Sequence, residues 1–167
     1  SLFYTLPEMM DGLALTASYS PGAAAGPAHS SFGIAYTGVE GLTLKFGQGD
    51  SGEPALEIES TTMMASYAIS SFTVSVSNTE ATKKGAANEE VQSYQVAYTV
   101  SDDISVTYGS ETHDLTGNVT DEEVEALGIS YTTGGMTLSA NTYEAKGAAN
   151  TAGAVSDKWA LTAAFAF

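Results

Sequence analysis

"GISYTTGGMTLSA", residues 128–140, carries no charge and alternates in polarity. Ile129 and Tyr131 fall on one side of an extended chain, Ser130 and Thr132 on the other. Beyond Gly134-Gly135 the alternation resumes, with Met136 and Leu138 against Thr137 and Ser139. Successive side chains of a strand point to opposite faces. A Gly-Gly pair between two such runs marks a two-residue hairpin turn. The stretch therefore reads as a hairpin with one apolar face, and that face must meet either a protein core or lipid.

The same unit recurs along the chain. "FYTLPEMMDGLALTASY", "IAYTGVEGLTLKFG", "ASYAISSFTVSVS" and "VAYTVSDDISVTYG" each give a strand, a tyrosine, a short connection and a second strand. The tyrosines are Tyr4, Tyr36, Tyr67, Tyr98 and, in the opening stretch, Tyr131, a repeat of about 32 residues. The short connections "PEMMDG", "GVEG", "ISS", "SDD" and "GG" alternate with longer ones. Those are "SPGAAAGPAHS", "GQGDSGEPA", "NTEATKKGAANEE", "SETHDLTGNVTDEE" and "KGAANTAGAVSD", which hold nearly all the charge. No helical period competes, so the chain is all-β and antiparallel.

Composition narrows the function. The 167 residues include 20 acidic and five basic side chains, all five lysine, for a net charge of −15. Such a chain cannot neutralise phosphates, which argues against nucleic acid as a partner. With no cysteine there is neither a disulfide framework nor a thiolate metal site. No apolar run approaches the roughly 18–20 residues of a membrane helix. No charged-then-apolar leader opens the chain.

The apolar face is Leu, Val, Ile, Met and aromatic residues. The other is Ala, Gly, Ser, Thr, Gln and Asn, with Lys45 the one lysine that alternation places within a strand on that side. Water-facing strands of a soluble sandwich or barrel normally carry Lys, Glu and Arg. A small, nearly uncharged polar face suits a lumen, and the apolar face then meets lipid. The five tyrosines keep one offset from the short turn. Tyrosine, apolar in its ring and polar at its tip, favours the boundary of hydrocarbon and water. Tyr4, Tyr36, Tyr67, Tyr98 and Tyr131 thus read as an aromatic girdle at the short-turn end of a transmembrane β-barrel. By parity the candidate lumen residues are Lys45, Thr73, Ser75, Gln95, Thr107, Ser139 and Asn141.

The chain closes with "KWALTAAFAF". Phe165 and Phe167 are similar to the C-terminal signal by which outer-membrane proteins are recognised by the barrel-assembly machinery, although Thr162 and Ala160 depart from that pattern. Ten strands follow the first turn, and the stub "SLFYT" makes eleven. First and last strands run the same way, whereas bacterial single-chain barrels have an even number of antiparallel strands. The expectation is a C-terminal portion, residues 1–167, of a single longer barrel, with five further strands and a signal peptide upstream if the barrel has sixteen.

"FYTLPEMMDGLALTASYSPG", "YTGVEGLTL", "SYQVAYTVSDDISVTYG" and "ISYTTGGMTLSA" together resemble the general porins of marine alphaproteobacteria. The resemblance rests on the number and order of hairpins across the chain. It implies a sixteen-stranded homotrimeric channel of the bacterial outer membrane for passive diffusion of ions and small hydrophilic solutes. It also implies a constriction loop in the N-terminal half.

Other chemistry is sparse. Asp121, Glu122, Glu123 and Glu125 in "TDEEVEA" are the candidates for a divalent cation or for ions bridging to lipopolysaccharide, since hard cations take carboxylate oxygens. A solvated acidic loop is the plainer reading. His29 and His113 read as loop residues, as do Lys83, Lys84, Glu89 and Glu90. No nucleophile motif, phosphate loop or paired catalytic carboxylate occurs, so neither enzyme activity nor a cofactor is expected. An acidic vestibule would enrich cations, most of all at low salt. The alternatives are a surface receptor or adhesin barrel whose loops bind a partner, and a soluble secreted β-sandwich.

Overall fold

A computed structural model describes residues 1–7, 9–22, 27–52 and 57–165. The strands are β1 (Leu2–Thr5), β2 (Leu13–Ser20), β3 (His29–Tyr36), β4 (Leu42–Ser51), β5 (Ile58–Ile69), β6 (Phe72–Lys83), β7 (Glu89–Ser101), β8 (Ile104–Leu115), β9 (Glu122–Thr133), β10 (Met136–Lys146) and β11 (Val155–Phe165). They form one antiparallel sheet in chain order, each strand hydrogen-bonded to the next. Every connection is a hairpin, the simplest route between antiparallel neighbours.

The opening stretch folds as expected. Thr133 faces Met136 across Gly134-Gly135, and both glycines take positive φ, 53° and 80°. A two-residue turn of this twist needs φ > 0 at both positions, which glycine adopts without steric cost.

The longer connections are shorter than expected, because the strands continue into their polar flanks. Asn78–Lys83 belongs to β6, Glu89 and Glu90 to β7, Ser110–Leu115 to β8, and Glu122 and Glu123 to β9. Near this end both faces are polar, so hydropathy stops alternating while the backbone ladder goes on. Alternation also breaks once within a strand. The β7–β8 register shifts between Thr99 and Ser101, a bulge that leaves Val100 without a ladder partner.

The sheet is a single layer. Among the described residues no apolar side chain is buried, and Trp159, Leu161 and Met63 remain 79%, 70% and 56% exposed. A soluble domain would cover such a face with a second layer. Among the described residues nothing does. No described helix is long and apolar enough to cross a membrane, which bears only on helices.

Candidate functional site

Partners directly opposite in an antiparallel ladder share a face, so the register sorts every strand residue. One continuous apolar face runs Leu15, Ile34, Phe46, Met63 across β2 to β5. It continues through Val74, Val96, Tyr108, Leu127 across β6 to β9. Leu138 faces Ala163, and Ala140 faces Leu161, at the far edge. Ring contacts lie along this face: Phe72 stacks on Tyr98 with centroids 4.5 Å apart, and Phe32 meets Phe46 at 5.6 Å.

The opposite face holds all seven candidate lumen residues. Thr73, Ala97, Thr107, Gly128, Asn141 and Ala160 form one row across six strands. Ser75 and Gln95 lie in the next row, and Lys45 faces Met64, which faces Ser77. Ser139 pairs with Ser130. Hydroxyl pairs bridge strands on this face: Ser75 Oγ donates to Ser66 Oγ at 2.9 Å, Ser77 and Ser93 meet at 2.7 Å, and Ser105 and Ser130 at 3.1 Å. Each such pair contributes a few tenths of a kcal/mol, about 0.2–1, and leaves further lone pairs for water.

The five tyrosines lie on the apolar face near the short turns, and the register adds a stagger. The row through Tyr36 crosses β5 at Ala65, two residues before Tyr67. The row through Tyr67 crosses β7 at Val96, two before Tyr98. The row through Tyr98 crosses β9 at Ile129, two before Tyr131. From Tyr4 the row crosses β3 at Phe32, four before Tyr36, in the same sense.

Several acidic residues move relative to expectation. Glu122, Glu123 and Glu125 lie on β9 rather than in a loop. Glu122 faces His113 on the polar side, whereas Glu123 and Glu125 face Thr112 and Ser110 on the apolar side. Asp121 precedes the strand. The three strand carboxylates are thereby split across the sheet by its period of two. Among the described residues no group of three or more His, Cys, Asp or Glu is placed to hold a metal ion.

His29 opens β3 rather than lying in a loop, and His113 likewise lies in β8. The His113 Nε2 is 2.6 Å from Glu111 Oε1, and its Nδ1 is 4.0 Å from Glu89, whose other oxygen holds Lys83 Nζ at 2.7 Å. The sequence reading missed this polar-face chain because it lies past the end of the apolar band. It also missed Lys158, which faces Tyr143 on the polar side; the parity set by Trp159 carried that signal.

Most strand carboxylates stand on the other side, above the apolar band. Asp50 opposes Glu59, Glu80 opposes Glu90, Glu90 opposes Asp114, Glu125 opposes Glu144, and Glu144 opposes Asp157. Lys146 answers Glu125 and Glu144 at 3.6 and 3.3 Å. Phe165 ends β11 opposite Met136, and Phe167 lies outside the described residues.

An antiparallel single-layer hairpin sheet, apolar on one side and carrying hydroxyls and amides on the other, is consistent with the wall of a β-barrel. Known structures bear this out at the level of fold. A refined porin structure matches with TM-score 0.72 and 16% identity over 96% of this chain and 60% of that one. An anion-selective porin from Comamonas acidovorans gives 0.71 and 16% over 86% of this chain and 48% of that one. OmpT, an outer membrane protein of Vibrio cholerae, gives 0.66 and 14% over 86% and 52%. The chain spans about half to three fifths of the length of these proteins. No family model and no curated protein matches it.

Proposed function

We propose that this chain is the C-terminal portion of an outer-membrane porin, a water-filled channel for passive diffusion of ions and small hydrophilic solutes. The observation that carries the reading is the continuous hydroxyl-and-amide face backed by an uncovered apolar face. Transport of this kind needs no covalent step; pore radius and lining charge set what passes.

The tyrosine stagger supports a tilted wall. A climb of two residues per two strands, at about 3.3 Å per residue and about 4.8 Å per strand, levels the tyrosines when strands tilt by about 35°. That lies within the 35–45° of outer-membrane barrels. Tyr36, Tyr67, Tyr98 and Tyr131 would then sit at one height, the membrane interface, and Tyr4, whose row falls four residues from Tyr36, would lie about two residues off that level. Phe165 and Phe167 would serve the assembly machinery.

β1 and β11 are the two edges of the sheet and run in the same direction. Five upstream strands would close a sixteen-stranded antiparallel barrel, and three such barrels would form the homotrimer. Lipid and lipopolysaccharide are the surroundings this reading gives the apolar face.

The polar face revises the expected selectivity. Its strand charges are Lys45, Lys83 and Lys158 against Glu89, Glu111 and Glu122. On its strand charges alone such a wall selects weakly, because most of the strand carboxylates lie on the other side.

Two measurements test the proposal on protein extracted from outer membranes. Intact mass should exceed that of 167 residues by enough for about five more strands. Planar bilayers should show stepwise ohmic conductance. A mass matching 167 residues overturns the sixteen-strand reading, and folded protein that never conducts overturns the channel.

A further inference from the structure

One row of the polar face changes character along its length. It runs Ser75, Gln95, Gly109, Ala126, Tyr143, Lys158 across β6 to β11. The two smallest residues fall in the middle, with an amide on one side and an aromatic ring on the other. The result is a depression of about 380 Å³ lined by Met64, Ser75, Ser77, Gln95, Glu111 and Tyr143. From the Gln95 backbone to that of Tyr143 is three ladder spacings, about 14 Å, room for a single sugar ring between the side chains.

The functional groups around this notch are unspent. Among the described residues the Gln95 amide and the Tyr143 hydroxyl make no hydrogen bond, and Tyr143 is 41% exposed. Ser77 and Ser93 share one hydrogen bond at 2.7 Å, which leaves further lone pairs open. Glu111 Oε1 is engaged by His113 Nε2 at 2.6 Å, and its other oxygen remains as an acceptor.

We propose that this notch is a binding subsite for a small neutral polyhydroxylated solute the size of a monosaccharide. A sugar ring presents C–H groups on its face and hydroxyls at its edge. Tyr143 supplies the apolar platform for the first. Gln95 donates and accepts, and the Ser77–Ser93 pair and Glu111 accept, for the second. Charge decides against ions. The Glu111 carboxylate at one side repels anions, and Lys158, directly opposite Tyr143, repels a cation from the ring. The subsite rests on the reading of the polar face as the water-filled side of the wall.

The test uses the full-length protein refolded in detergent and in planar bilayers, with D-glucose as probe and choline chloride as control. Saturation-transfer NMR in detergent should show D-glucose bound and choline not. In bilayers D-glucose should reduce the ion current saturably. Tyr143→Ala and Gln95→Ala should each raise the half-saturating concentration tenfold or more, and Leu161→Ala, on the apolar face, should leave it as in the parent. Conductance without glucose binding overturns the subsite and spares the channel. Glucose binding without conductance overturns the channel and spares the subsite. Binding of choline in preference, or glucose block indifferent to both polar-face substitutions, overturns the subsite.

Discussion

Thr107 and Asn141 lean over the same glycine. They are the ladder partners of Gly128 on β8 and β10, and a Cβ at Gly128 would stand 2.7 Å from Thr107 Oγ1 and 2.5 Å from Asn141 Oδ1. Both lie on the polar face, and the glycine lets the two polar side chains converge there. Glycine in a strand interior is normally weakening, by about 0.5–1 kcal/mol against alanine. Here the gain should reverse. Gly128→Ala should destabilise by about 1 kcal/mol, a modest cost because both oxygens end short side chains that can turn away. Adding Asn141→Ala should recover part of it. Urea unfolding in lipid vesicles measures the cycle; a coupling below about 0.5 kcal/mol would show the contact to be immaterial.

The stack of Phe72 on Tyr98, 4.5 Å between centroids and 29° between planes, ties β6 to β7 beside the short turns. Such pairs contribute about 0.5–1.5 kcal/mol beyond the area they bury. A double-mutant cycle of Phe72→Leu and Tyr98→Leu should return that coupling. Purely additive losses would mean that each ring acts through lipid contact alone.

Glu90 stands between two like charges, Glu80 on β6 and Asp114 on β8. Hydrogen bonds from Asn78 Nδ2 and Gln92 Nε2, both 2.7 Å, hold its Oε1 in place. Directly opposed like charges cost stability. Asp114→Asn should therefore raise the urea midpoint, corresponding to about 0.2–1 kcal/mol of added stability at low ionic strength. The gain should fade near 1 M salt, where the Debye length is about 3 Å. A lower midpoint would refute the repulsion argument.

Lys45 lies on the polar face between Ala35 and Met64, with no ion pair among the described residues. If it lines the conducting path, Lys45→Glu should shift the reversal potential in a salt gradient toward cations, and Lys45→Gln should give about half that shift, following the change in charge. Reversal potentials identical in all three proteins would remove Lys45 from the path.

Much of the wall was legible in the chain. Alternation put Lys45, Thr73, Ser75, Gln95, Thr107, Ser139 and Asn141 on the face opposite the apolar side chains, where the register also puts them, because a one-residue slip would move every apolar side chain to the other side. It failed where hydropathy ceased to alternate. His113, Glu111 and Glu122 looked like loop residues since their outward neighbours Thr112, Asp114 and Glu123 are polar too. Strand continuation there is carried by backbone hydrogen bonds, which leave no mark on composition.

The hairpins, their order and the side chains that share a face follow from local geometry of period two, and the chain alone carries them. Which residues stand opposite one another is a matter of strand pairing. Register brought Gly109 and Ala126 between Gln95 and Tyr143, set Glu90 against Asp114, and staggered Tyr36, Tyr67, Tyr98 and Tyr131 by two residues each. Those relationships join strands through pairing rather than through chain neighbours, and pairing is settled by the whole ladder at once.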